Sequence, residues 1–363
     1  MSIQPDATDD NLTVMTYRDA VRSALADELA SDACVMMIGE DVASAGGVFK
    51  TNEGLADEFP GRIVNTPICE NTFVGVAIGM ALAGMRPVVE IMFSDFLPTA
   101  GDALVEELPR MRFMSGGQCT LPVTIRAMGG GGGRFGTQHS ATGESWFMAL
   151  PGLKVGTAGT PAGVYGMLRA AIRDNDPVLL IEHKSLFTKK GPVARSEHAI
   201  AEVGKASVER EGSDVTVVST LLMTDRSLQA ADDLVADGVQ AEVIDLRWLR
   251  PLDYATVRAS VEKTRRLVIV EEQVHAAGRG ATLISRLSMD GVALAVPPRA
   301  ISLPEDLLIP YSPPLEDAII ASADLIAQVV LELTSKSRRA ITGAPTVARA
   351  GAPVSGDATA AGG

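Results

Sequence analysis

Short apolar runs alternate with amphipathic stretches along most of the chain. Val21, Leu25 and Leu29 recur at helical spacing, and Thr16 with Asp19 three residues on supplies a capping-box-like start. Val35-Met36-Met37-Ile38 is a brief apolar run stopped by Gly39, the pattern of a buried strand. Beyond it the two periods alternate. Helices are predicted over 73–83, 98–114 and 161–174, the last with Thr160 as N-cap and Pro161 at the first helical position. Strands are predicted over 86–93, 122–128, 153–157 and 177–182. Residues 184–213 are more polar, lack periodicity and read as a linker and crossover, the linker proper being 191–213. A second set follows, with strands at 215–219, 241–246, 267–271 and 293–302 and helices at 225–236, 252–263, 279–288 and 315–334. This alternation predicts mainly parallel sheets with helices on both faces, an α/β architecture in two domains. No internal repeat is evident.

Composition narrows the picture. The 363 residues suit two domains of ordinary size, and 46% hydrophobic with 21% charged residues supports a large core. A net charge of -13 argues against nucleic acid or an anionic membrane as the main partner. Cys34, Cys69 and Cys119 form no close pair, so a disulfide framework or zinc cluster is not expected and a reducing compartment fits. The start MSIQPDATDDNLT has neither a basic n-region nor an apolar h-region, and it is not Arg-rich. No run reaches about 18 apolar residues, so a cytoplasmic protein is expected. Residues 1–13 read as a flexible arm. The Ala/Gly/Pro/Ser/Thr-rich stretch 337–363 is expected to be disordered.

Chemistry has a few candidate places. Glu70 sits where a turn meets an apolar helix containing Gly75 and Gly79. These glycines share one face and leave it bare for another backbone. A carboxylate beside such a surface would be desolvated, but one at a helix start also serves as an ordinary cap. His139, in Thr137-Gln138-His139-Ser140, lies in a loop beyond a strand end, where it is either an acid–base group or a structural histidine. His183, His198 and His275 are weaker candidates. The run Gly129–Gly133 lacks the Gly-Lys-Ser/Thr of a phosphate loop and reads as a flexible active-site loop, with Arg134 an exposed arginine.

These residues fall into a known pattern. Glu70, Gly75, Val76 and Gly79 match the E-x4-G-Φ-x-x-G signature of thiamine-diphosphate enzymes. Around them IGED (38–41), TPICE (66–70), GMRPVVE (84–90), QHS (138–140), PGLKV (151–155), AIRDNDPV (171–178) and EVIDLRWLRPL (242–252) occur in order. Over roughly residues 14–335 the chain resembles the β subunits of pyruvate, branched-chain 2-oxo acid and acetoin dehydrogenases. EIMFSDF and LIEHK look closest to the acetoin branch. The resemblance implies a transketolase-like pyrimidine-binding domain at 14–190 and a transketolase C-terminal-like domain at 214–336. It implies that Glu70 hydrogen-bonds the aminopyrimidine of thiamine diphosphate and promotes the imino tautomer. It implies further that His139 handles protons on bound intermediates, that Phe96 packs on the pyrimidine, and that Glu40 lies close to the active site. Asp174 and Asp176 match a region where relatives bind potassium, although a solvated acidic turn is the simpler reading.

The GDG motif that holds magnesium diphosphate is absent. The cofactor's phosphate end and Mg2+ are therefore expected on an α subunit, in an α2β2 heterotetramer that passes an acyl group to lipoyl on an acyltransferase core. A self-sufficient transketolase-like synthase and a non-catalytic docking subunit are the alternatives. The sequence leaves pyruvate, a branched-chain 2-oxo acid and acetoin open as substrate.

Overall fold

The computed structural model describes residues 12–43 and 45–334. Its strands in the first half are β1 (Leu12–Thr16), β2 (Val35–Gly39), β3 (Ile63–Asn65), β4 (Arg86–Ile91), β5 (Thr124–Gly129), β6 (Lys154–Thr157), β7 (Val178–His183) and β8 (Lys190–Ala194). The second half holds β9 (Ser207–Arg210), β10 (Val215–Ser219), β11 (Ala241–Asp245), β12 (Trp248–Arg250), β13 (Leu267–Val274) and β14 (Arg299–Leu303).

The first sheet has the order β12-β6-β7-β5-β4-β2-β3. All its neighbours are parallel except β12, which runs antiparallel to β6. β5 and β7 are buried along their whole length, as strands covered by helices on both faces must be. One cover is the helix Tyr17–Ser31, which packs on the helix Pro161–Arg173. Thr16 and Asp19 close a full capping box there, and Val21, Leu25 and Leu29 are buried. The second sheet has the order β14-β13-β10-β11-β9, parallel except for β9 against β11.

Several expectations change. The helix foreseen over 98–114 is a 3₁₀ segment (Ser94–Ala100), a π segment (Asp102–Glu107) and a short α-helix (Met111–Met114). Pro98 and Pro109 lack the amide that a continuous helix needs. The helix foreseen over 315–334 is two helices, Pro313–Ile319 and Ala323–Thr334, with the Ser322 hydroxyl accepting from the Leu325 amide to start the second. The stretch read as an aperiodic linker contains β8 and β9. β8 pairs with β1, so Leu12 and Thr13, expected in the flexible arm, already belong to a strand. Residues 1–11 and 335–363, which include the predicted disordered tail, lie outside the described residues. Among the described residues no helix is long and apolar enough to cross a membrane.

Candidate functional site

β2, β3, β4, β5 and β7 run parallel, so their carboxyl ends share one edge, where open α/β sheets hold ligands. Glu40 follows β2 directly. Glu70 comes five residues after β3. Phe93, Asp95 and Phe96 follow β4, His139 lies in the loop after β5, and Lys184 follows β7. One fold edge thus gathers residues from five separate stretches of sequence.

Glu70 is the first residue of the helix Glu70–Leu82. The N-cap position belongs to Cys69, which makes no side-chain cap bond, and Glu70 lies in the first turn, where the positive helix end favours a carboxylate. Glu40 is 8% exposed, and its Oε1 is buried without a hydrogen-bond partner. Burial pushes its carboxyl above the ordinary range, and the negative charges of Glu70 and Asp41 push it further. A carboxyl held towards its protonated form can donate a hydrogen bond as well as accept one.

His139 lies in a short 3₁₀ turn, Thr137–His139, and is half-buried among aromatic rings. Its ring meets Phe93 edge-on at 4.6 Å between centroids and Phe96 at 5.5 Å. The predicted pair Phe96 and His139 is therefore brought together. Phe93 also contacts Phe49 at 5.5 Å and Phe135 at 6.0 Å.

The sequence reading missed Lys184. Its ammonium donates to the His139 carbonyl oxygen and sits 5.4 and 5.2 Å from the centroids of Phe93 and Phe135. Burial pulls the amine down to about 8, against the pull of Asp95, Glu272 and Glu316. Asp95 was missed too. Its Oδ1 accepts from the Ala141 amide at 3.2 Å, its Oδ2 is buried without a partner, and burial pushes the carboxyl up. Both lie just beyond the carboxyl ends of central strands, Lys184 directly after β7 and Asp95 four residues after β4.

Beneath this edge lies a buried ionic cluster. Arg126, fully buried on β5, donates to both oxygens of Glu182 at 2.7 and 3.0 Å and to Glu90 at 2.8 Å. Asn52 Nδ2 donates to the same Glu90 carboxylate at 2.8 Å.

Other candidates resolve differently. Asp174 takes the Lys154 ammonium on both oxygens at 2.7 and 2.8 Å, and Asp176 takes it at 3.1 Å and also pairs with Arg112. Two cationic side chains already neutralise this turn, so the pair does not fit a potassium ion. Among the described residues no group of three or more His, Cys, Asp or Glu could hold a metal. Gly75 and Gly79 lie exposed, and a methyl group placed on either would meet nothing within 4 Å, so that helix face is open in this chain. The glycine run is hydrogen-bonded to the second domain, and Arg134 is ion-paired rather than a plain surface arginine. Glu316 and Asp317 bind Arg134, while Glu272 binds the Gly131 amide. His183 is fully buried and paired to Glu272 at 2.8 Å.

Comparison with known proteins agrees with this layout. The family model "Transketolase, pyrimidine binding domain" matches residues 13–190, and "Transketolase, C-terminal domain" matches residues 204–326. The acetoin:2,6-dichlorophenolindophenol oxidoreductase subunit beta of Cupriavidus necator is 39% identical over 323 residues, 86% of this chain and 95% of that protein. The pyruvate dehydrogenase E1 component subunit beta of Bacillus subtilis is 41% identical over 300 residues, 82% of this chain and 92% of that one. A solved "Split gene transketolase, inactive beta4 tetramer" superposes with a TM-score of 0.72 at 24% identity, covering 89% of this chain and 99% of that chain, which shows the shared fold.

Proposed function

The chain belongs to the transketolase-like family that contains the β subunits of pyruvate and acetoin dehydrogenases, and on that premise we propose that it supplies one half of a shared active site. An α subunit supplies the other half, in an α2β2 assembly. The reading makes the enzyme the decarboxylating or cleaving component of a 2-oxo acid or acetoin dehydrogenase complex, acting in the cytoplasm. Lipoyl on an acyltransferase core is its acceptor, and the second domain is the surface that docks that core.

The observation that carries this reading is the pair Glu40 and Glu70 at the carboxyl edge of the parallel sheet. Glu40 presents a buried, unpartnered oxygen beside the charge of Glu70, as a site built for a polar ring would. These residues fit the pyrimidine half of thiamine diphosphate. In this reading Glu70 holds a proton against the aminopyrimidine, Glu40 lies beside it, and Phe96 packs on the ring. His139 moves protons on the substrate side, with the Phe93, Phe96 and Phe135 cluster limiting water around it. Thiamine diphosphate, when bound, would supply the carbon nucleophile for the substrate carbonyl. Its diphosphate and Mg2+ are assigned to the α subunit, because GDG is absent from this sequence. Substrate choice among pyruvate, branched-chain 2-oxo acids and acetoin rests partly on α-chain groups, and one methylene is worth only about 1–3 kcal/mol.

Calorimetric titration of thiamine diphosphate with Mg2+ tests the proposal, first on this chain and then with its α subunit. Tight binding and turnover only in the mixture are expected. Turnover by the chain alone would make it a self-sufficient synthase. An assembled but cofactor-free, inactive complex would make it a docking subunit.

A further inference from the structure

We propose that two carboxylates of the second domain, Glu272 and Glu316, act as positioning residues for the loop that carries His139, Glu272 through the Gly131 amide and Glu316 with Arg134 as its clasp. The inference rests on the reading that His139 works at the reacting centre.

The glycine run has no place in the chemistry above, and its geometry explains its composition. Gly130 and Gly132 adopt φ of +89° and +82°, which L side chains rarely take. Any side chain at Gly130 would run into the His183 ring, and one at Gly131 would come within 2.7 Å of Ile320 Cδ1. The bare backbone therefore reaches second-domain groups that a larger residue would hold off.

Those groups take its amides in turn. Glu272 Oε1 accepts from the Gly131 amide at 3.1 Å while its Oε2 meets His183 Nε2 at 2.8 Å. Glu316 Oε1 accepts from the Gly132 amide at 2.8 Å. Glu316 Oε2 accepts from the Arg134 amide at 3.3 Å and from Arg134 Nη1 at 2.6 Å. Arg134 Nη2 reaches both oxygens of Asp317 at 2.7 and 2.9 Å. Glu316 is fully buried, so its charge is met almost wholly by this loop. The anchoring continues past the glycines. Ser185 Oγ donates to the Gly131 carbonyl at 2.9 Å, and Thr137 Oγ1 donates to the Ile309 carbonyl at 3.0 Å.

His139 follows Thr137 by two residues, and its own carbonyl is held by Lys184. The loop is therefore fixed on both flanks by groups outside it. A backbone held by charge-assisted bonds is pre-organised, and a shift of about 1 Å at a reacting group can cost up to about 100-fold in rate. The second domain thus has a part in setting the active-site geometry in addition to any role in assembly.

Two measurements test this with Glu316→Ala, Arg134→Ala and the conservative Arg134→Lys. Amide hydrogen exchange of the full-length chain should accelerate about tenfold or more across 131–139 in both alanine variants, with β4, β5 and β7 unchanged. In the enzyme assembled with its α subunit, kcat should fall by about 10- to 100-fold with KM within about threefold, and Arg134→Lys should recover part of the loss. Unchanged exchange in Arg134→Ala overturns the proposal even if Glu316→Ala fails to fold. Faster exchange with unchanged kcat overturns it as well, provided that His139→Ala is itself impaired. If His139→Ala keeps full activity, the role given to His139 fails, while the exchange data still decide whether the carboxylates hold the loop.

Discussion

Replacing Arg126 with methionine should destabilise the first sheet by about 3–5 kcal/mol near neutral pH. The guanidinium is fully buried and bridges Glu90 on β4 and Glu182 on β7, three neighbouring strands in the middle of the sheet. Methionine fills most of the space but strands two buried carboxylates. Asn52 still reaches Glu90, so that group keeps one neutral donor, while Glu182 loses the bidentate partner. Burial already pushes the Glu90 carboxyl above 4.5, with Arg126 and Asn52 the groups that hold it down. Without the arginine it rises further. A carboxyl raised in the folded state loses stability as pH climbs from the unfolded value through the folded one. The deficit should therefore shrink on acidification, by about 1.4 kcal/mol per pH unit for each carboxyl that takes up its proton. Trp248 suits the assay, being fully buried on the edge strand of this sheet, whereas Trp146 is 66% exposed and can be replaced by phenylalanine. With an m-value of about 2 kcal/mol/M, the urea midpoint followed by Trp248 fluorescence should fall by about 2 M. Adding Glu90→Gln and Glu182→Gln should restore most of it. A midpoint shift under about 0.3 M at pH 7.5, or no pH dependence, would refute the reasoning.

Two further outcomes are expected. Glu70→Gln keeps size and hydrogen bonding but cannot exchange a proton. The assembled variant should bind thiamine diphosphate yet lose about 10²–10⁴-fold in turnover, and wild-type deuterium exchange at the cofactor's C2 position would return Glu70 to a structural role. Lys184 carries an amine lowered from 10.5 to about 8, so holding its charge costs the fold up to about 3 kcal/mol below pH 8 and less as pH rises towards 10.5. Stability of the wild type should thus gain on Lys184→Met between pH 8 and 10.5 in urea titrations, and parallel curves would count against a buried charge.

The α/β alternation was legible because strands such as β2 are short apolar runs and helix starts such as Thr16 and Thr160 carry their caps in the local sequence. β8, β9 and β12 were not, because each is defined by a partner strand far away in the chain and carries no period of its own. The stretch 98–114 misled because its apolar spacing is helical while two prolines break the hydrogen-bond ladder. At the site, Glu40, Glu70, Phe96 and His139 stood out through the motifs around them. Lys184 and Asp95 did not, since only the fold shows that they lose their solvent. The glycine run misled most: glycines permit a loop to move, but they also permit a backbone to approach, and here Glu272, Glu316 and His183 take up the second possibility.

β12 has a bearing on how the gene could be cut or fused. Trp248–Arg250 is encoded after the segment that joins the two halves, yet it completes the edge of the first sheet on β6. A side chain at Gly156 would come within 3.3 Å of the Trp248 ring, so the indole lies directly against the strand it covers. A gene broken between the halves would yield an N-terminal product whose β6 backbone is left bare, an invitation to stick to other chains. The two products would have to meet during synthesis to be soluble. A junction moved to after Arg250 would instead part β9, β10 and β11 from β13 and β14, so fusions and swaps between relatives should leave the chain whole.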